Sequence, residues 1–321
     1  MNIDSLAFSL KNPSLSVSSL SAPSIEAMPI LPRLAHLRPL KAVDILHLEK
    51  IHPIVSGNKW YKLKYNLIEA KKQGFDSLLS CGGPHSNHLH ALACAGQVFG
   101  LKTKAFVRGY EHLPLTPTLL DCQRMGMVLM FVDKQTYKQR YDDQWCQQQA
   151  DAHSSYWIAE GGDNALGHQG CAELADYCQG YDEVWLSIGS GCTFLGLAAG
   201  IRASLPQASE SIEPLMQGIL AIKGGAQLAE NLLLEAGMPH KIDTESHLGG
   251  FGKCPAALLA LIKEYDQAGL ALDPVYTAKL IMAFEHHWQT GLLDDEKRYL
   301  IIHSGGLQGR RGIAALSESS P

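Results

Sequence analysis

The sequence lacks several features that would mark whole classes of protein. Nowhere does the 321-residue chain approach the roughly 18 consecutive apolar residues that a helix needs to cross a bilayer, so no membrane association is expected. The net charge of -5 is spread without blocks of one sign, and no RNA- or DNA-binding motif is present, which argues against a nucleic-acid partner. Residues 1–25 are rich in Ser and Pro but lack a charged leader followed by an apolar stretch, and this favours a disordered tail over a signal peptide.

Cysteine is present but lacks the spacing of a disulfide framework. The eight cysteines form no CxxC pair in a chain of this length, a pattern typical of reduced, buried thiols and of a cytoplasmic protein. No metal-binding residues are predicted. The cysteines are Cys81, Cys94, Cys122, Cys146, Cys171, Cys178, Cys192 and Cys254.

What the sequence does have is an alternation of short apolar runs with helical patterns. The apolar runs are continuous, as strands covered on both faces should be, and they predict an α/β protein with mostly parallel sheets in one or two domains. Predicted strands are 77–81, 104–108, 127–132, 183–188, 218–222 and 299–303. Predicted helices are 60–73, 87–99, 165–179, 193–204, 225–236, 255–268 and 276–290.

Lys59 lies where a glycine-containing turn, Ser56-Gly57-Asn58, meets the first predicted helix. Like charge and partial burial at that position both disfavour the protonated amine, so Lys59 is a candidate nucleophile near neutral pH. A solvated lysine in a basic run is the alternative. The exposed side of the same helix is predicted to carry Lys62, Lys64, Lys71 and Lys72.

Ligands of parallel sheets collect at the carboxyl ends of the strands, and two of the loops there open helices. Residues 81–88 place Ser86, Asn87 and His88 at a helix N-terminus, where they can hold an anion such as a carboxylate or simply cap the helix. Residues 187–193 read SIGSGCT and can form a phosphate cup, although a tight turn explains the pattern equally well. The third glycine of a dinucleotide-binding motif and the Walker lysine are absent.

Two further segments offer polar groups to the same region. Residues 303–309 read HSGGLQG, and their glycines would let the backbone skirt a flat ring, with Ser304 or His303 reaching into the cleft. Residues 272–279 read LDPVYTAK and present Tyr276 and Thr277 near a helix N-terminus. A C-terminal turn and an ordinary packed tyrosine are the alternatives.

A nucleophilic lysine, a phosphate cup and polar loops around a flat ligand together suggest pyridoxal 5'-phosphate. Residues 54–309 resemble the 1-aminocyclopropane-1-carboxylate deaminase / D-cysteine desulfhydrase family of fold-type II pyridoxal-phosphate enzymes. The matching segments, in order, are SGNKWYKLKYNL (56–67), GGPHSNH (82–88), EGGDNALGHQGC (160–171), GSGCT (189–193), LDPVYTAK (272–279) and HSGGLQG (303–309).

The resemblance implies a role for each predicted site residue. Lys59 would hold the cofactor as a Schiff base and move the α-proton, and Tyr276 would stack near the cofactor or protonate the substrate. Ser86 and His88 would meet the substrate carboxylate or assist proton transfer. The residues implied to bind the cofactor are Lys59, Asn87, Gly189, Ser190, Gly191, Cys192, Thr193, Thr277 and Ser304.

Three departures from the family pattern bear on the reaction. Thr277 stands where the deaminases carry a carboxylate facing the pyridine nitrogen, and a hydroxyl there implies a milder electron sink. Phe251 replaces a second tyrosine typical of ring-opening deaminases. Residues 48–50 read LEK where an Arg-Asp-Asp run is common, which affects the expected substrate range more than cofactor binding.

The resemblance therefore implies a lyase that eliminates a β-substituent from a small amino acid, with D-cysteine favoured and pyruvate, ammonia and hydrogen sulfide as products. The alternatives are a 1-aminocyclopropane-1-carboxylate deaminase giving 2-oxobutanoate and a pyridoxal-phosphate-binding protein without turnover. The expected layout is two α/β domains with the cofactor between them, the smaller over 62–157 and the larger combining 26–61 with 158–321. A homodimer is expected by resemblance.

Overall fold

Two β-sheets organise the chain in the computed structural model, which describes residues 20–52, 55, 57–204 and 213–317. The strands are β1 (Ser24–Ala27), β2 (Ala42–His47), β3 (Ser77–Gly82), β4 (Lys102–Arg108), β5 (Val128–Val132), β6 (Tyr156–Trp157), β7 (Glu183–Ile188), β8 (Leu215–Leu220), β9 (His240–Asp243) and β10 (Arg298–His303). The larger sheet has the order β1, β2, β10, β7, β8, β9, and the smaller has the order β5, β4, β3, β6.

Most neighbouring strands run parallel, which requires crossover connections, and helices supply many of them. Among the described strands, every hydrogen-bonded pair is parallel except β1 with β2. Strands β3 and β7 are buried at every position, which accounts for their continuous apolar sequences. The predicted fold class, an α/β protein with mostly parallel sheets, is confirmed.

The helices follow the strands in the order that a parallel sheet requires. They are α1 (Asn58–Lys72), α2 (Asn87–Phe99), α3 (Pro117–Arg124), α4 (Lys134–Lys138), α5 (Asp143–Ala152), α6 (Ala165–Ala172), α7 (Cys192–Ser204), α8 (Ala226–Glu235), α9 (Ala256–Gln267), α10 (Thr277–Gln289) and α11 (Ala314–Ser317). Short 3-10 helices cover Pro32–Leu34, Gln139–Tyr141, Glu160–Gly162, Glu173–Tyr177 and Leu307–Gly312. No helix in the described ranges combines the length and apolar character that a bilayer crossing requires.

All six predicted strands overlap observed ones, and four observed strands were missed. Strand β2 carries Asp44 in its middle, β6 has only two residues, and β9 reads HKID, so none of them shows an apolar run. The helix predicted over 165–179 ends earlier, because α6 gives way to the 3-10 helix Glu173–Tyr177. Helices α3, α4, α5 and α11 were also missed, although Thr116 followed by Pro117 is a helix-start signal for α3.

The large sheet separates two hydrophobic clusters. Alternate side chains of β7 point to opposite faces, so Val184 and Leu186 pack in one cluster while Trp185 packs in the other. The Trp185 ring meets Phe284 of α10 edge-on, with ring centroids 5.1 Å apart. Seven cysteines are buried and Cys254 is half-buried.

Part of the predicted tail belongs to a strand, and the smaller sheet lies within one predicted domain. Residues 1–19 of the predicted tail lie outside the described residues. The end of the tail is corrected, since Ser24 and Ile25 belong to β1, where they pair with His47 and Leu46 of β2. All four strands of the smaller sheet fall within 62–157. The division into two domains stays a prediction.

Candidate functional site

Lys59 is the second residue of α1 and is held beside the loop that follows β10. Gly57 adopts a φ of 71°, and a Cβ there would lie 2.0 Å from the carbonyl oxygen of Ser304. The backbone N–H of Asn58 donates to that same oxygen at 3.1 Å. Only glycine fits this approach, so residue 57 brings the lysine turn and the 303–309 loop together.

The environment of Lys59 favours a neutral amine. Burial, with a smaller contribution from the Lys62 ammonium, lowers the pKa of Lys59 from 10.5 to about 7. Its Nζ donates to Oδ1 of Asn58 at 3.2 Å. A large share of this side chain is therefore deprotonated near neutral pH and able to attack a carbonyl carbon.

The lysines predicted on the exposed side of α1 are not all exposed. Lys71 and Lys72 are, but Lys62 and Lys64 are only 3% and 4% exposed, because α6 covers that side of α1. The helices touch through Gly170, where a Cβ would lie 1.8 Å from the carbonyl oxygen of Tyr61. The prediction was wrong because helical spacing cannot show that a second helix packs on the polar face.

The loop between β7 and α7 has the form of an anion-binding turn. Gly191 adopts a φ of 96°, and α7 then runs for 13 residues from Cys192. Oγ1 of Thr193 accepts a hydrogen bond from Nδ2 of Asn58 at 2.9 Å, which ties the loop to the residue beside Lys59. Backbone amides at the start of α7 suit a phosphate group.

Tyr276 and Thr277 reach the site because Asp273 caps α10. The buried Asp273 carboxylate accepts from the backbone N–H groups of Val275, Tyr276 and Thr277 at 2.7–2.9 Å. A Cβ at Gly189 would lie 3.1 Å from Cε1 of Tyr276, so the phenol lies against the loop between β7 and α7. Burial and the Asp273 charge raise the pKa of Tyr276, which keeps the phenol protonated.

Thr277 and Phe251 lie beside the same tyrosine. Thr277 is 1% exposed, and its Oγ1 has no hydrogen-bond partner among the described residues. The Phe251 ring centroid lies 5.7 Å from that of Tyr276. Phe251 thus reaches Tyr276 from the loop that precedes α9.

The polar side chains at the end of the 81–88 loop make three different kinds of contact: one caps a helix, one bonds to a neighbouring loop and one bonds to a buried strand. Ser86 Oγ accepts from the backbone N–H of Leu89 at 3.2 Å, so it is the N-cap of α2. Oδ1 of Asn87 accepts from Nε2 of Gln308 at 2.9 Å, which joins this loop to the 303–309 loop. His88 is buried, and its Nε2 pairs with Oγ of Ser80 at 2.9 Å.

His88 is a neutral ring in this setting. Burial, with a smaller contribution from the nearby Lys59 ammonium, lowers the pKa of His88 to about 3. A ring that remains neutral throughout the ordinary pH range and bonds to a strand suits the positioning of α2 better than proton exchange with a substrate.

The His303 ring makes its contacts within the protein, and its Nδ1 accepts from the backbone N–H of Gly305 in the loop that it begins at 3.2 Å. His303 is fully buried, with Nε2 donating to the carbonyl oxygen of Ala271 at 2.8 Å and Nδ1 lying 3.1 Å from Oε2 of Glu49. Glu49 also contacts His47. Although burial alone would raise the pKa of Glu49, the charges of His303 and His47 lower it.

Glu49 lies in the 48–50 segment that departs from the family pattern. Its contact with His303 joins that segment to the start of the 303–309 loop. Ser304 is half-buried and faces the lysine turn through its carbonyl group. Sequence reasoning missed Asn58, Lys62, Asp273 and Glu49. Only Asp273 had a local signal, since it lies four residues before Thr277 and Asp readily accepts hydrogen bonds from backbone N–H groups at the start of a helix.

Comparison with known proteins agrees with this arrangement. A family model described as "Pyridoxal-phosphate dependent enzyme" matches residues 28–305, which is most of the chain. The chain belongs to the pyridoxal-phosphate dependent enzyme family. The cofactor predicted from the sequence, pyridoxal 5'-phosphate, is thereby confirmed.

Individual relatives narrow the resemblance within the pyridoxal-phosphate family. A D-cysteine desulfhydrase of Klebsiella pneumoniae is 28% identical over 78% of this chain and 83% of the relative. A Thermotoga maritima protein provisionally named 1-aminocyclopropane-1-carboxylate deaminase is 29% identical over 79% of this chain and 85% of the relative. The crystal structure of an "ACC deaminase homologue" has a TM-score of 0.74 at 23% identity, covers 93% of this chain and 94% of that chain, and confirms the fold.

The residues present fit the family's cofactor. A lysine with a lowered pKa, a turn of backbone amides and the buried Lys62 ammonium match an aldehyde and a phosphate group. The unpaired hydroxyl of Thr277 matches a ring nitrogen, since an unsatisfied buried hydroxyl costs about 1–3 kcal/mol. A Cβ at Gly189 would lie 3.1 Å from Cε1 of Tyr276 and one at Gly191 would lie 2.9 Å from Cδ2 of Leu232, so these glycines let the loop pack closely against both side chains.

Proposed function

We propose that the protein is a pyridoxal-phosphate-dependent lyase that eliminates a β-substituent from a small amino acid, with D-cysteine as the favoured substrate. The products would be pyruvate, ammonia and hydrogen sulfide. The observation that carries the proposal is the unpaired hydroxyl of Thr277 at the buried start of α10, since residue 277 offers a hydroxyl and not a carboxylate, and the nearby Asp273 carboxylate is engaged by three backbone N–H groups.

The residues proposed to hold the cofactor surround Lys59. The Lys59 amine would bind the aldehyde carbon, and the amides of Gly189, Ser190, Gly191, Cys192 and Thr193, with Lys62, would bind the phosphate. Asn87 would meet the ring hydroxyl, Thr277 the ring nitrogen and Ser304 the edge of the ring. When bound, pyridoxal phosphate supplies an electron sink that stabilises negative charge at the substrate's α-carbon.

The remaining groups would handle protons and the substrate carboxylate. Lys59, with its pKa lowered to about 7, is suited to take the α-proton at neutral pH. Tyr276 stays protonated and can donate a proton to a leaving group or to the substrate carbon. Ser86 uses its oxygen lone pair to cap α2, which leaves its O–H free to donate to a carboxylate at the N-terminus of that helix.

The choice of D-cysteine over the cyclopropane acid rests on the demand that each reaction makes on the electron sink. A hydroxyl at the ring nitrogen leaves that nitrogen unprotonated, which suffices to expel a thiolate. Opening a cyclopropane ring calls for a stronger sink and a further proton donor, and Thr277 and Phe251 supply neither. The provisional name of the Thermotoga maritima relative keeps the deaminase as the second candidate.

Product analysis with matched variants tests the proposal. The purified holoenzyme would be given D-cysteine, L-cysteine or 1-aminocyclopropane-1-carboxylate, with Lys59→Ala as the test variant and Lys72→Ala, an exposed lysine on the same helix, as control. We expect sulfide and pyruvate from D-cysteine, lost only in Lys59→Ala. Release of 2-oxobutanoate from the cyclopropane acid would instead favour the deaminase.

A result without any product would favour the third candidate, a pyridoxal-phosphate-binding protein without turnover. Such a protein needs Lys59 and the phosphate contacts but has no use for Ser86 or Tyr276. We further propose that the enzyme works as a cytoplasmic homodimer, and that the 62–157 domain closes on the 26–61 and 158–321 domain to exclude water. Sedimentation of the holoenzyme tests the dimer.

A further inference from the structure

A cluster of three potential metal ligands lies next to the phosphate-binding loop, and its side chains are not among the side chains proposed to hold the cofactor. Asp163, His168 and Cys192 each offer one donor atom, and these atoms all lie within 4.8 Å of one another. Nε2 of His168 is 2.9 Å from Oδ1 of Asp163. Cys192 lends its backbone to the loop, but its Sγ donates to the carbonyl oxygen of Gly162 at 3.4 Å.

Glycines build this cluster by bringing three segments into contact. Gly161 and Gly162 adopt φ values of 73° and 72°, which turn the chain so that Asp163 precedes α6. A Cβ at Gly167 would lie 3.2 Å from Sγ of Cys192, and one at Gly196 would lie 2.5 Å from the carbonyl oxygen of His168. Helices α6 and α7 therefore approach closely where the donor atoms meet.

We propose that Asp163, His168 and Cys192 bind a divalent metal ion of the zinc class, with water completing a four-coordinate site. A thiolate, an imidazole and a carboxylate are the ligands that Zn²⁺ prefers, at about 2.0–2.3 Å from the ion. Tetrahedral coordination at those bond lengths puts neighbouring ligand atoms about 3.3–3.8 Å apart, so side-chain shifts of roughly 1 Å assemble the site. On binding, the Cys192 thiol releases its proton to solvent.

The surroundings suit a site of this kind. The side chains of Asp163 and His168 are 32% and 34% exposed, which gives an ion a path to Cys192, itself fully buried. Cys192 belongs to no CxxC pair, so no metal-binding residue was predicted from the sequence, and the proposed site departs from that prediction.

A metal ion here would act on the phosphate-binding loop. It would join α6 to the first residue of α7, and Gly161 already lies against Ser190, where a Cβ would be 3.4 Å from Oγ. The ion would thereby fix the position of the backbone amides proposed to hold the phosphate. We expect the metal-loaded holoenzyme to lose pyridoxal phosphate more slowly on dilution than the metal-free holoenzyme.

Binding of Co²⁺ and Zn²⁺ to the holoenzyme tests the site without measuring turnover, so its outcome is independent of the proposed lyase activity. We expect one Co²⁺ per chain with a thiolate charge-transfer band, displaced by Zn²⁺. His168→Gln and Asp163→Asn should each weaken binding by more than roughly tenfold. Cys178→Ser, which alters a buried cysteine outside the cluster, should leave binding unchanged.

X-ray absorption at the zinc edge of the wild-type holoenzyme keeps the test decisive if a variant fails to fold. One sulfur with two or three nitrogen or oxygen neighbours would support the site. Failure to bind one ion per chain, or an ion with no sulfur neighbour, would overturn the proposal and leave the three side chains as a hydrogen-bonded brace.

Discussion

Replacing Thr277 with Val should make the cofactor-free protein more stable while weakening its hold on the cofactor. The Oγ1 atom of Thr277 is buried at a site 1% exposed and has no hydrogen-bond partner among the described residues. Leaving a buried hydroxyl unpaired costs about 1–3 kcal/mol, and Val removes that cost at nearly the same volume. The free energy of unfolding of the apoprotein should therefore rise by about 1–2 kcal/mol.

The same change removes the Thr277 hydroxyl, from which the ring nitrogen of the cofactor would accept a hydrogen bond. Loss of a hydrogen bond of about 1–1.5 kcal/mol should weaken pyridoxal phosphate binding roughly fivefold to tenfold. Thr277→Ser is the matched control, since it keeps the hydroxyl and loses a methyl group, lowering apoprotein stability by about 1 kcal/mol with affinity nearly unchanged.

Urea unfolding of the apoprotein and equilibrium dialysis of the cofactor provide the two measurements. If Thr277→Val destabilises the apoprotein as much as Thr277→Ser does and leaves cofactor affinity unchanged, the hydroxyl already has a partner and the reasoning is wrong.

Three further predictions address the lysine, the helix contact and the α10 cap. In the folded apoprotein the pKa of Lys59 is lowered to about 7 from 10.5, so between those pH values only the unfolded state binds the proton. The free energy of unfolding of the wild type, measured relative to that of Lys59→Met, should therefore rise with pH across this range. A difference in urea unfolding that does not change with pH would contradict the lowered pKa. Gly170→Ala puts a Cβ 1.8 Å from a carbonyl oxygen and should lower the stability measured by thermal unfolding by about 2–3 kcal/mol. Gly252→Ala, with open space around its Cβ, should lower it little. Equal losses of stability in the two variants would refute the close contact. Asp273→Ala removes the acceptor of three backbone N–H groups and should lower the free energy of unfolding by about 1–2 kcal/mol, while Asp273→Asn restores much of that stability. Because Tyr276 would move in Asp273→Ala, KM should rise and kcat should fall. Unchanged kinetics in Asp273→Ala would show that the cap does not position the site.

The sequence carried much of the fold because the central strands are buried on both faces. Strands β3, β7 and β10 read as continuous apolar runs, and the loops that follow them were predicted as the functional region. Strand β2 escaped because Asp44 interrupts it, and the structure explains the interruption, since Oδ2 of Asp44 accepts from the Tyr181 hydroxyl at 2.8 Å.

The parts of the site that the sequence could not predict depend on contacts between distant segments. Lys62 is buried because α6, about a hundred residues later, covers α1, and no local pattern records that contact. Glu49 meets His303 across two strands, and Asp163 meets Cys192 across two helices. For His88 the local motif was misleading, because it suggested a contact with the substrate, whereas the ring is buried and hydrogen-bonded to Ser80.

The most direct test of the account is to locate the lysine that carries the cofactor. Reducing the holoenzyme with borohydride fixes bound pyridoxal phosphate to its lysine, and mass spectrometry of the peptides then identifies the residue. The account predicts the label on Lys59, whose pKa is lowered to about 7. A label on Lys62, a buried lysine one turn further along α1, or on any other residue would contradict the assignment on which the proposed mechanism depends.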